Sequence, residues 1–268
     1  MSTAALETLF KRDRVIVGGA LCALILLSWI ALLAGAGTGM DPAAMSGWWI
    51  PPVTPSSGAL WTPAYWVVAF FMWAVMMVAM MLPSASPMVL LYARVVRQAE
   101  GGRARKASAS IAAFASGYLT LWILFSAITV IVQNVLERTA ALSAMMSSRS
   151  VLLSGMLLVA AGLYQFTPLK AACLRHCRGP AAFIAAHWRP GVAGGWRMGL
   201  LHGAHCVGCC AALMLLPFVG GVMNLIWIAG LTLLVAVEKL APFGPLTARA
   251  LGVALIGGGA ALLVLAGH

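Results

Sequence analysis

Acidic side chains are scarce in this chain: six Asp and Glu among 268 residues. The long apolar runs hold almost none of them. Hard cations take oxygen ligands, so the near-absence of carboxylates from these runs argues against proton-coupled transport of magnesium or manganese and against a di-iron site. Charge of either sign is short, at 9% of residues, where a soluble domain carries roughly a quarter. That deficit excludes an ordinary soluble fold, and nothing suggests a soluble appendage. No convincing internal repeat is present, which speaks against an inverted-repeat transporter. A disulfide framework is the weaker reading of the six cysteines. All but Cys22 fall in two tight clusters, within apolar runs or beside basic loops.

What charge there is has one sign, with a net +11. Its placement argues against a nucleic-acid partner. Fifteen of the 17 Lys and Arg fall in segments that alternate with apolar runs on one side, and only Arg138 and Arg149 fall on the other. That is the positive-inside pattern, and it places the N-terminus in the cytoplasm.

The composition is 62% hydrophobic. Apolar runs long enough to cross a bilayer recur along the chain. The expected fold is all-α, a polytopic transmembrane helix bundle of about seven spans. The reading is a cytoplasmic N-terminal tail over 1–14 and a single membrane domain over 15–268. The spans are placed near 15–36, 64–91, 110–132, 151–168, 196–217, 219–237 and 249–266. A basic start before an apolar run longer than a signal-peptide core reads as an uncleaved signal-anchor. The Pro-rich stretch 37–63, with Trp48, Trp49 and Trp61, reads as an outer interfacial loop; Met40, Asp41 and Met45 lie in it.

The stretch that carries chemistry runs from Met198 to Met214. It is apolar, yet it holds His202, His205, Cys206, Cys209 and Cys210. At 100° per residue, His202, Cys206 and Cys209 share an arc of about 60° on a helix. Imidazole, thiolate and thioether suit copper(I) and zinc. The second run adds methionines. Met72, Met76 and Met80 recur at i+4, as do Met77 and Met81, before Pro83 and Pro87 interrupt the pattern. Any single Met is core filler, but six between Met72 and Met88 make a thioether-rich face. Counted in from the basic loops, this face and the His/Cys face lie at overlapping depths. They converge if the second and fifth spans are neighbours.

A third cluster, Cys173, His176 and Cys177, opens the segment 170–197, which reads as the longest inner loop. Cys173 and Cys177 are one helical turn apart, with Arg175 and Arg178 alongside. Glu238 and Lys239 read as a pair at the membrane interface.

Copper(I) is preferred over zinc because thioethers abound and hard ligands are few. The expected ligands are His202, Cys206 and Cys209, joined by Met77, Met80 or Met81, with His205 and Cys210 beside them. Cys173, His176 and Cys177 would form an inner site where the ion enters or leaves. The implied role is copper transport, or delivery to a cuproprotein or from a metallochaperone, within the lipid bilayer. Two other classes compete. Cys206 and Cys209 form a CxxC suited to a membrane dithiol–disulfide oxidoreductase; Cys210 in place of His argues against covalent haem. Alternatively the helices are a docking surface for assembly of another membrane complex.

Three motifs in order carry a family resemblance: Trp73–Pro87, Tyr164–Cys177 and Gly199–Cys210. Together they resemble a bacterial family of predicted metal-binding integral membrane proteins, a domain of unknown function. The likeness covers roughly residues 64–240. It implies a bacterial inner-membrane location and metal binding, without an established activity.

Overall fold

The computed structural model describes residues 3–38, 46, 61–101, 103–139, 142 and 150–266, with side chains from Val15 onward. The N-terminal tail's side chains, Met40, Asp41, Met45, Trp48 and Trp49 lie outside the described residues. Among the described residues the chain is all-helical. The helices are α1 (Thr3–Leu33), α2 (Pro63–Ala99), α3 (Ala104–Arg138), α4 (Val151–Tyr164), α5 (Pro168–Arg178), α6 (Pro180–His187), α7 (Gly191–Cys210), α8 (Pro217–Gly220), α9 (Leu225–Leu240) and α10 (Gly244–Ala266).

Four helices are long and apolar enough to cross a membrane: α1 from Val15, α2, α3 and α10. The number rises to six if two bent pairs each count as one crossing. In one pair α4 meets α5 at 64°; in the other α7 meets the Leu213–Gly220 segment at 70°. Apolar side chains cover the outer faces: Leu26, Leu27, Ile30, Val253, Val264 and Leu265 are all exposed. A lipid environment accommodates such a surface.

Two segments differ from the sequence reading. The loop expected over 170–197 is largely helical, forming α5, α6 and the start of α7. Its signal was Thr167-Pro168. Thr167 Oγ1 accepts from Lys170 N at 3.2 Å and Pro168 takes the first helical position, so the pair starts a helix rather than ending a span. The expected span 219–237 is α9, displaced to Leu225–Leu240 and only 16 residues long. A Gly221 with φ of 95° breaks the chain before it, and Asn224 caps it through Ile226 N and Trp227 N. The second run, in contrast, is longer than expected: α2 continues through both Pro83 and Pro87 for 37 residues. Around the prolines Ser84 Oγ donates to the Met81 carbonyl and Ser86 Oγ to the Leu82 carbonyl, keeping polar groups satisfied in an apolar setting.

The tightest helix pair is α3 against α7. Missing side chains permit it. A Cβ on Gly199 would lie 2.1 Å from the Phe114 carbonyl oxygen, and one on Gly117 would lie 2.3 Å from that of Trp196. This is small-residue packing of the kind membrane helices use. Gly199→Ala is expected to cost about 1–3 kcal/mol through overpacking against backbone. It should lower the thermal midpoint in detergent, whereas Gly230→Ala, with nothing within 4 Å, should leave it unchanged.

Candidate metal centre

Close packing of α3 on α7 sets Tyr118 opposite the last turns of α7. There the Tyr118 hydroxyl lies 3.1 Å from Cys206 Sγ and 3.3 Å from the Met81 carbonyl. Cys206 points into the bundle and is 1% exposed, as are Cys209 and Cys210. From α2, Met81 Sδ approaches Cys210 Sγ at 3.6 Å. The methionine and cysteine faces therefore meet, through Met81 and Cys210. Met77 and Met80 are fully buried one turn and one residue away on the same helix.

The bend between α4 and α5 brings in the other cysteine cluster. Tyr164, at the end of α4, donates its hydroxyl to the Gly208 carbonyl on α7. Gly208 has no side chain where Cys173 Sγ lies: a Cβ there would be 2.6 Å from that sulfur. One turn on, Cys177 Sγ stands 3.8 Å from Cys209 Sγ. Cys173 and Cys177 thus do not form a separate inner site; they are packed onto the cysteines of α7. Sulfur from three helices converges: Cys206, Cys209 and Cys210 on α7, Cys173 and Cys177 on α5, Met81 on α2.

A cation completes the cluster. Lys239 on α9 is buried, and its Nζ donates to Cys206 Sγ at 2.9 Å and to Ser84 Oγ at 3.3 Å, with Cys210 Sγ at 3.9 Å. The expected interfacial pairing of Glu238 with Lys239 does not occur. Neighbouring residues on a helix diverge by about 100°, so the two serve different partners. Glu238 Oε2 instead accepts from Lys170 Nζ on α5 at 2.7 Å, with both side chains buried. Lys170 and Lys239 are therefore interior residues and do not count among the loop charges.

The histidines divide. His202 is 3% exposed, lies against Phe114, Tyr118 and Phe183, and has no partner at Nδ1. Its face of α7 is turned inward, as expected. His205 does not join the sulfurs. Its ring stacks on His176 of α5 at 4.2 Å, and His187 of α6 is 6.4 Å from His176. All three make the same bond, from Nδ1 to the carbonyl four residues back: Ala172 for His176 at 2.9 Å, Phe183 for His187 at 3.0 Å and Leu201 for His205 at 2.8 Å. A carbonyl only accepts, so in each ring Nδ1 is the donor, and Nε2 faces away from that bond.

Among the described residues no group of three or more His, Cys, Asp and Glu is spaced to hold a metal ion. The donor chemistry nonetheless suits a soft ion: thiol, thioether and imidazole, with the nearby carboxylate already engaged by Lys170. Sequence reasoning missed Lys239, Tyr118 and Ser84 as members of this cluster. Lys239 alone left a signal, an ionisable side chain within an apolar run.

Residues 70–262 match the PpoB2 family, described as a copper chaperone. The chain belongs to that family. The PpoB2 match contains every sulfur and histidine of the cluster, together with Lys239, and leaves α1 outside. No curated protein and no solved structure matches the chain. Membership supports a role related to copper, the metal that the soft donors of the sequence favour.

Proposed function

We propose that this chain is a membrane-embedded copper(I) chaperone of the bacterial inner membrane, which holds one ion on the sulfur cluster and passes it to a cuproprotein. The supporting observation is the convergence of Cys177, Cys206, Cys209, Cys210 and Met81 around a buried ammonium. Copper(I) on two thiolates carries a net charge of minus one. Lys239 neutralises that complex where an uncompensated charge is expensive. In the metal-free chain the same ammonium donates to Cys206 Sγ, with the Tyr118 hydroxyl beside it. Two thiolates each ~2.3 Å from a tetrahedral ion stand about 3.8 Å apart, the spacing typical of zinc. Cys177 and Cys209 lie at 3.8 Å, so zinc remains the competing ion at that pair.

Cys206, Cys209 and Cys210 with Met81 are the proposed ligands, and Cys177 supports Cys209 from α5. Met77 and Met80 extend the thioether face, and His202 with Cys173 flanks the cluster. His176 and His205, each with Nε2 facing away from its carbonyl bond, form the route by which the ion reaches or leaves the sulfurs. Ligand exchange between two- and three-coordinate soft sites moves it. The crossings number seven when each bent pair counts once and α9 serves as a short seventh. With Lys170 and Lys239 set aside, thirteen cations still fall on the proposed cytoplasmic side against two outside.

Purified protein loaded with copper(I) under reducing conditions should retain one ion per chain, with sulfur dominating its X-ray absorption spectrum. Cys177→Ser should weaken retention by roughly tenfold, at the low end for loss of a supporting group. A loaded preparation that keeps neither copper nor zinc refutes the assignment. The 3.8 Å approach of Cys177 and Cys209 also supports a second reading, thiol–disulfide exchange with a partner's disulfide. It pairs Cys209 with Cys177 rather than with Cys206 and predicts a trapped mixed disulfide in one single-cysteine variant.

A further inference from the structure

Between α5 and the start of α10 lies a cavity of about 520 Å³ that none of the clustered sulfurs lines. Its wall carries Arg175, Arg178 and Arg249, together with Lys170. The charge of Lys170 is taken up by Glu238 at 2.7 Å. Arg178 is anchored by the carbonyls of Glu238, Ala241 and Pro242 at 2.7, 2.6 and 3.1 Å, which fix the guanidinium without neutralising it. Arg175 and Arg249 are exposed and have no carboxylate partner among the described residues. Three uncompensated guanidiniums therefore border one cavity, the arrangement that takes phosphate through forked hydrogen bonds.

A second observation points into the same cavity. Gln165 lines it, is only 5% exposed, and has no partner at either Oε1 or Nε2. A buried amide with both ends unsatisfied is costly unless a ligand meets it. An anion that carries hydroxyl groups beside its phosphate does so, accepting from Nε2 and donating to Oε1.

The surroundings decide the source of that phosphate. Leu169, Phe243 and Leu246, on or beside the two helices, are 58%, 57% and 68% exposed. Leu174 and Pro245 line the cavity itself. An anionic head among cations and an apolar tail along exposed Leu and Phe describe one molecule. We propose that this cavity binds the phosphate-bearing headgroup of an anionic phospholipid, with its acyl chains against Leu169, Phe243 and Leu246. Basic pockets between membrane helices recognise lipid headgroups in this way. The proposal rests on neither the copper site nor its ligands.

The test uses the full chain, delipidated in detergent, with thermal unfolding followed as phosphatidylglycerol, phosphatidylcholine or inorganic phosphate is added. A ligand that binds only the folded state raises the midpoint with concentration. Phosphatidylglycerol should raise it by several degrees, roughly what a ligand near a hundredfold its Kd achieves. Phosphatidylcholine and millimolar phosphate should not. The rise should vanish in the Arg175→Gln/Arg249→Gln double variant, whose two exposed positions leave the unliganded midpoint unchanged, and should shrink in Gln165→Leu. Native mass spectra of the wild-type chain should show one retained phosphatidylglycerol. A rise that persists in the double variant, or that phosphatidylcholine matches, overturns the site. A full rise from inorganic phosphate alone overturns the headgroup in favour of a free anion.

Discussion

Cys206→Ser lowers copper(I) affinity by more than ~100-fold, because losing even an outer partner of a ligand typically costs 10–100-fold and here the donor itself is lost. Cys206 is the residue on which most of the cluster's contacts meet. It meets Lys239 Nζ at 2.9 Å and the Tyr118 hydroxyl at 3.1 Å, and its carbonyl accepts from both Cys209 Sγ and Cys210 Sγ, at 3.1 and 2.8 Å. Serine keeps a small polar group that still accepts from Lys239, so the metal-free fold should change by about 1 kcal/mol or less. Hydroxyl oxygen is a hard donor that copper(I) binds poorly. Competition against a chromophoric copper(I) chelator measures the loss, and melting of the metal-free chain provides the control. Equal affinity in the variant and the wild type would remove Cys206 from the ligand set.

Lys239→Met gives the second large effect, and it separates two properties that normally move together. Truncating one partner of a buried charge pair costs roughly 2–5 kcal/mol, so copper(I) affinity should fall about 30-fold to several thousandfold. The metal-free chain should be at least as stable as before. Cys206 keeps the Tyr118 hydroxyl beside it, and a buried ionic group replaced by a well-packed apolar one is often neutral or stabilising. Lys170→Met must behave differently. It leaves Glu238 buried beside an empty position and should destabilise the fold with little direct effect on copper. A Lys239→Met chain that binds copper normally, or that melts as early as Lys170→Met, would exclude charge compensation as the role of Lys239.

Much of this was readable in the residues. The scarcity of carboxylates and the run of apolar segments point to a helical chain, and the donor types point to a soft ion. Met81 could be picked from its ridge, and Cys206, Cys209 and Cys210 from their spacing. Three features were not readable. Cys177 meets Cys209 only because the chain turns by 64° after Tyr164, and a span-by-span reading of hydropathy carries no information about such a bend. His205 shares a helix with Cys206 but reaches across to His176, since its place one residue before Cys206 turns it about 100° around the axis. Lys239 was hidden by Glu238, because opposite charges adjacent in sequence invite a pairing that helix geometry forbids. Each of these depends on which helix lies opposite, and periodicity within one helix is silent about that.

Glu238 and Lys239 also constrain how the molecule is put together. Their side chains reach separate helices, one to Lys170 and the other to Cys206. Rotating α9 by a single residue would carry both side chains away from these partners at once. The sixteen-residue helix thereby fixes its own register against α5 and α7.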